Sequence, residues 1–386
     1  MFIPLSSPAT GALLTLTLTF LFCALSSPPT LAQKFIPDPD IDKCSLFVEG
    51  QAFYMLGGFT HPDGTGNFML DLSVPWNASD PVYKELKSGP KIDGHGCGMA
   101  NTGELFVLST GTAFVYNLKS NSWTVFEHPN LSTGTRGEFA VTDPETGIIY
   151  IKDEYVNLSG DSTMYSVDLR TKTVNTSKVY FPEQAVKGVA WSAFLKSVVV
   201  VDLHVSLYTP SEGTKSSKGR STFLATGPNG DFPTPWCTAP AYGGAIIVFL
   251  GIYTDYVDDK LKDTTYVHTL DLNTRTWRKG PLVNARTGDY SCAVSGDHFI
   301  VWGGMANGTM TNKVLVFNIK TEKEVSRYIP PPPRPTTTTL QPSQTPTQQT
   351  NTISGPSNTS SGDKKHASII VAVTGCLLAI ILGLFV

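Results

Sequence analysis

The chain has 386 residues, 29 basic against 32 acidic, for a net charge of -3, and only 16% of its residues are charged. That balance excludes a basic nucleic-acid binder and an acidic disordered chain, so no nucleic-acid partner is expected. The length allows one large domain or two ordinary ones, each able to bury a sizeable core.

Residues 1–32 read as a secretory signal peptide. An apolar run from Gly11 to Leu25 is followed by Pro28-Pro29 and a small residue, Ala32, before the expected cut. The run is too short to span a bilayer comfortably. It lacks the Lys or Arg usual at the start of a signal.

Residues 33–329 carry a recurring element: an apolar strand ending in Asp or Asn, an aliphatic residue, a turn, then often Trp. It reads Val115-Tyr116-Asn117-Leu118 to Trp123 and Thr269-Leu270-Asp271-Leu272 to Trp277. Weaker copies end at Asp71, Asp168 and Asn318. The five polar positions are separated by 46, 51, 103 and 47 residues. The long gap holds two periods, which places a degenerate copy near Leu207-Tyr208. Ahead of each copy lies a stronger apolar strand, such as Ala52 to Leu56 before Gly57-Gly58, or Phe299 to Trp302 before Gly303-Gly304. A weaker strand precedes that one, as in Tyr290 to Val294. Short, evenly spaced strands rich in β-branched and aromatic residues predict an all-β protein. Six units of four strands predict a six-bladed β-propeller.

Pro330 to Ser368 reads as a stalk rich in Pro, Thr and Ser, unable to bury apolar area and suited to O-glycosylation. Its segment up to Gly362, fully extended, would reach on the order of 100 Å. Ile369 to Val386 is an apolar tail of 18 residues, long enough to span as a transmembrane helix. Lys364, Lys365 and His366 stand before it and nothing basic follows, the reverse of a cleaved-signal single-pass protein. The small residues Asn358, Ser360 and Ser361, a polar spacer and the tail fit a GPI signal. Either way a membrane tether is expected, with the bulk of the protein on the extracellular face of the plasma membrane or in the wall.

These residues resemble kelch repeats of the galactose oxidase-type propeller superfamily. Pro281 to Arg286, Tyr290 to Val294, Phe299 to Gly304 and Leu315 to Asn318 follow the order of that family's repeat. The third and fourth units lack both the Gly-Gly pair and the Trp. The whole chain, from signal to anchor, is similar to fungal cell-surface kelch proteins.

Outside the signal and tail lie Cys44, Cys97, Cys237 and Cys292, each before its unit's strong strand. The spacings of 53 and 55 are one repeat each, and a secretory route favours disulfides. Pairing 44 with 97 and 237 with 292 joins neighbouring blades throughout. Pairing 44 with 292 would strand the other two, and free thiols remain an alternative. Sequons occur at Asn77, Asn130, Asn157, Asn175, Asn307 and Asn358, in segments expected to be loops or turns.

The resemblance also raises copper-radical oxidase chemistry, which in that superfamily needs a Cys-linked Tyr and a copper held by Tyr and two His. The seven His are scattered, and His95 before Cys97 reads better as a turn residue. No nucleophile elbow, phosphate loop or zinc-binding helix motif occurs. Asp255, Asp258, Asp259 and Asp263 match no calcium loop. The expectation is therefore a module with no catalytic residue, no metal and no cofactor. It would bind a protein or a cell-wall glycan through loops on one propeller face, or serve as a purely structural glycosylated bead. Long connections between second and third strands are expected at 59–67, 252–265 and 305–312. Phe59, His61, Tyr253, Tyr256 and Asp258 there mix aromatic and polar groups as binding surfaces do. Arg136, Arg286 and Trp236 sit at the entries to inner strands. For Trp236, packing between blades is the stronger reading.

Overall fold

The computed structural model describes residues 34–332, apart from 42, 49, 59, 62–63, 93–95, 110, 132–136, 157–160, 181–187, 202–203, 211–221, 227–233, 258–259, 284–285 and 307. It is an all-β, six-bladed propeller. Blade 1 is built from β1 (Cys44–Val48), β2 (Ala52–Leu56), β3 (Phe68–Asp71) and, after a short β4 (Trp76–Asn77), β5 (Tyr83–Glu85). Blade 2 is β6 (Gly96–Met99), β7 (Glu104–Ser109), β8 (Thr112–Asn117) and β9 (Ser122–Phe126). Blade 3 is β10 (Gly137–Thr142), β11 (Ile149–Val156), β12 (Asp161–Asp168) and β13 (Thr173–Tyr180). Blade 4 is β14 (Gly188–Ser192), β15 (Ser197–Val201), β16 (His204–Tyr208) and β17 (Thr222–Thr226), so the degenerate copy near Leu207-Tyr208 is a full blade. Blade 5 is β18 (Thr234–Ala241), β19 (Ile246–Val257), β20 (Lys260–Asp271) and β21 (Thr276–Val283). Blade 6 is β22 (Arg286–Ser295), β23 (His298–Ala306) with a short β24 (Thr309–Met310), β25 (Val314–Asn318) and β26 (Lys323–Glu324). A last strand, β27 (Arg327–Tyr328), pairs with β4.

The repeat signal is a turn device. Four of the five polar residues end a third strand and fold the side chain over the hairpin to the fourth. Asn117 Oδ1 accepts the N–H of Lys119 (3.0 Å) and Ser120 (2.9 Å). Asp271 Oδ1 accepts those of Asn273 and Thr274, both at 2.9 Å. Asp168 and Asn318 do the same. Four residues on, the chain adopts a left-handed conformation at Asn121, Lys172, Arg275 and Glu322, which restarts the fourth strand. The aliphatic residue between is buried in a blade interface, as Leu72, Leu169 and Leu272 show. One short sequence pattern therefore fixes a turn, a register and a core contact.

Six apolar clusters lie between consecutive blades. The cluster of Ala293, Ile300, Trp302, Val314 and Val316 against Phe53, Met55, Phe68 and Leu70 closes blade 6 onto blade 1. The others join blades 1 and 2, 2 and 3, 3 and 4, 4 and 5, and 5 and 6. The second strands read as unbroken apolar runs because both their faces meet a neighbouring blade: β2 and β15 are buried at every position.

Closure has a second element that the repeat does not announce. Among the described residues each blade takes all its strands from one stretch of chain, and no exchanged strand bolts the ring. Instead β27 crosses to β4, and Tyr328 sits fully buried at the join. Its ring stacks on Trp76 with centroids 4.8 Å apart. Its hydroxyl donates to Leu72 O (2.9 Å) and bonds Ser295 Oγ (2.8 Å) in the turn of blade 6. Tyr328→Phe removes both bonds and keeps the ring, so it should cost about 1–3 kcal/mol in chemical denaturation. An unchanged midpoint would mean that the clasp is held by stacking alone.

Both disulfides form between neighbouring blades. Cys44 joins Cys97 and Cys237 joins Cys292, with Cα atoms 6.0 and 5.8 Å apart, inside the range a bridge requires. Among the described residues no helix is long and apolar enough to cross a membrane. The signal segment 1–32, the stalk from residue 333 onward, the tail, and Asn358, Ser360 and Ser361 lie outside the described residues.

Candidate functional site

Up-and-down blades sort their connections by face. Turns from first to second and from third to fourth strands lie on one face. Connections from second to third strands, and from one blade to the next, lie on the other. The second face holds the candidate site.

On this face the N-terminal segment before β1 meets the connection between β2 and β3. Asp40 is fully buried there, and its carboxylate is saturated. It accepts the N–H of Ile41 (2.8 Å) and of Thr60 (3.0 Å), pairs with Lys43 Nζ at 3.0 Å, and lies 3.2 Å from His61 Nδ1. The Lys43 side chain is only 1% exposed. Its other N–H groups donate to Gly57 O and, at 3.1 Å, to Gly66 O, and its ammonium stands 5.5 Å from the centre of the Phe68 ring. Burial by itself would push the Asp40 carboxyl up. The Thr60 N–H, Lys43 and His61 outweigh it and hold the group below the ordinary carboxylate range. Burial draws the Lys43 ammonium down, and Asp40 partly restores it. With its donors engaged, Lys43 is a buttress here, not a free nucleophile.

In the Gly-Gly pair of blade 1, Gly57 makes room for Ile92 and Gly58 for this network. Gly58 has φ +122°, and a Cβ on it would overlap the Asp40 carboxylate. In blade 6 the same pair makes room for an aromatic ring, since a Cβ on Gly304 would overlap Tyr290. Asn67 braces the connection by accepting the Gly57 N–H at 2.8 Å and donating to Gly64 O at 3.2 Å. From this frame His61, with a 19% exposed side chain, reaches the surface, with Asp38 Oδ2 3.7 Å from its Nε2.

Of the residues singled out in the sequence, His61 is thus anchored in a buried ion network. Asp38, Asp40 and Lys43 were missed. Trp236 lies in β18 at a bulge and packs across the blade 5–6 interface, and a Cβ on Gly288 of β22 would sit 3.6 Å from its ring. That is the packing role. Arg286 is the first residue of β22, opposite Ala306. Phe59, Arg136, Asp258 and His95 lie outside the described residues.

The expected loop at 252–265 is corrected: it is a β-hairpin. β19 and β20 run twelve residues each, paired without a break from Ile246↔Asp271 to Val257↔Lys260. Tyr253 faces Thr264 across it and Tyr256 faces Leu261. Ile252-Tyr253-Thr254 and Tyr256-Val257 are strong strand formers, which accounts for the continued pairing. The expected loop at 305–312 likewise contains a small hairpin, β23 with β24. Two sequons also differ from expectation. Asn77 and Asn175 sit on strands β4 and β13, both exposed, while Asn130 is exposed in a turn and donates to Val174 O at 2.7 Å. Asn157 and Asn307 lie outside the described residues.

Among the other titratable groups, His268 is buried in blade 5 and stacks on Phe249 at 5.0 Å. Burial, with Lys279 nearby, pushes it down to about 4, so it is neutral at physiological pH. Among the described residues no group of three or more His, Cys, Asp or Glu is placed to hold a metal.

Among solved structures the chain is similar to YjhT, with a TM-score of 0.51 and 15% identity over 75% of this chain and 98% of that one. It is also similar to TolB from Acinetobacter baumannii, with a TM-score of 0.47 and 13% identity over 81% of this chain and 67% of that one. At such identities the YjhT likeness supports the propeller fold and nothing finer. No protein-family model matches the sequence, and a search of curated proteins finds no match.

Proposed function

We propose that the chain is a non-catalytic recognition module, secreted and tethered outside the cell, whose ligand meets the face bearing the β19–β20 hairpin and His61. The tether and the compartment rest on the sequence of the two ends. The observation that carries the binding face is the height of blade 5. Its second and third strands have twelve residues each, against five in blade 4 next to it. Packing between blades needs only the shorter length. The surplus raises a hairpin on the order of 20 Å above its neighbour. A strand-paired hairpin standing on a closed ring displays side chains at a lower entropic cost on binding than an unpaired loop of the same length. Blade 3, with eight-residue β11 and β12, raises a lesser one on the other side of blade 4.

The test excises the display and keeps the frame. Ile252 faces Thr265, so an Asn-Gly turn replacing residues 253–264 closes the strands in register. The expected result is a thermal midpoint within a few degrees of the native one and at least a tenfold loss of binding to cell-wall and cell-surface extracts. Native-level binding by the trimmed protein would remove the hairpin from the ligand face.

A further inference from the structure

The opposite face carries the turns from first to second strands, and two of them hold features that the fold does not require. Blade 4 turns through residues 193–196 and blade 5 through Tyr242–Gly244. The two turns are stitched together: the Phe194 N–H donates to Gly243 O (3.0 Å) and Ser192 Oγ to Gly244 O (2.7 Å). Each exposes an aromatic side chain, Phe194 at 52% and Tyr242 at 44%.

Tyr242 is also strained. Its φ is +50°, left-handed, where a side chain costs energy and glycine does not. The corresponding turns of blades 1, 2, 3 and 6 use one left-handed glycine, Gly50, Gly103, Gly147 or Gly296, and blade 4 uses Lys196; blade 5 adds Tyr242 ahead of two left-handed glycines, Gly243 and Gly244. Among the described non-glycine residues with positive φ, Tyr242 alone is aromatic. Persistent strain at an exposed aromatic points to a role outside folding.

The surroundings narrow the ligand. The Tyr242 hydroxyl donates to Asp297 Oδ1 at 3.0 Å, and Lys320 Nζ meets Asp297 Oδ2 at 2.9 Å. On the blade 4 side Lys196 pairs with Glu145 at 3.0 Å. The four flanking charges cancel in two pairs. A charged ligand would have to break one of them, whereas an uncharged polyhydroxylated one can bond to both. Exposed aromatic surface beside neutralised polar pairs suits the two sides of a sugar, C–H edges on the rings and hydroxyls on the polar groups. We propose that the Phe194 and Tyr242 turns form a platform for an uncharged glycan chain, a site separate from the hairpin face and independent of the reading given for it.

The test titrates the purified protein with cellohexaose, laminarihexaose and chitohexaose by calorimetry and saturation-transfer NMR. Saturable binding to at least one is expected. Tyr242→Gly and Phe194→Ser should each weaken it at least tenfold while the thermal midpoint stays within a few degrees, since glycine accepts the Tyr242 backbone and Phe194 is exposed. The proposal is overturned if no hexaose binds the native protein, if both variants bind at native strength, or if the only loss is in Tyr242→Gly and comes with a lowered midpoint. Capture of a polypeptide that is lost in both variants while all three sugars fail would assign the platform to a protein partner and also overturn it.

Discussion

Lys43→Met is expected to destabilise the propeller by about 3–5 kcal/mol, because it leaves the buried Asp40 carboxylate without its cation. For a domain of this size that is a fall of roughly 10 °C in the thermal midpoint. The Lys43 side chain is 1% exposed and Asp40 is fully buried, so water cannot replace the lost partner. Adding Asp40→Asn should recover part of the loss, since the amide oxygen can still accept the Ile41 and Thr60 N–H groups without carrying charge. The acid limb gives a second readout. Asp40 is held below its ordinary range in the fold, so its contribution is complete above the unfolded carboxylate's pKa and is lost as pH falls through the lower folded value. In Lys43→Met the Asp40 pKa rises, and acid unfolding should begin at higher pH. Additive single and double variants, or an unmoved acid limb, would show that the pair is not coupled as described.

Removing either disulfide should be comparably costly. Cys44–Cys97 and Cys237–Cys292 close loops with sequence separations of 53 and 55, which chain-entropy reasoning values at about 4 kcal/mol each. One joins blade 1 to blade 2 and the other blade 5 to blade 6. Each therefore ties a blade at the closing seam to the neighbour behind it. Cys44→Ala with Cys97→Ala, and Cys237→Ala with Cys292→Ala, should each lower the unfolding free energy obtained from urea denaturation by about that amount, with a lower midpoint. Reducing agent opens both bridges, so it should cost the native protein more than either pair of substitutions and leave a variant lacking all four cysteines little changed. A native midpoint insensitive to reduction would contradict this.

Much of the frame was legible because it is local. Asn117, Asp168, Asp271 and Asn318 each act on N–H groups two and three residues ahead, so a short pattern carried the turn, and counting the turns gave the blades. The cysteines were legible through the repeat, since one period places residues at matching heights on adjacent blades. What escaped is non-local. Asp38, Asp40 and Lys43 look like a solvated charged leader, and nothing in their order says that the ring closes over two of them. Tyr328 is far in sequence from Trp76 and from Ser295, and its partners follow from closure alone. The stretch 252–265 looks like a loop because its charges mask the strand pattern, yet its backbone pairs without a break from Ile252↔Thr265 to Val257↔Lys260. His61 was found as an exposed polar group beside an aromatic; its anchorage was not.

The proposal that this propeller recognises a ligand and does not react with it can be tested directly. The most direct test is a peptide-mapped mass and an absorbance spectrum of the purified protein, before and after loading with copper. The account predicts the mass deficit of two disulfides at the pairs described, sugar removable from exposed sequons, no stoichiometric copper and no radical absorbance. A Cys–Tyr crosslink, or bound copper accompanied by peroxide formation from an alcohol, would contradict it and make the chain an oxidase.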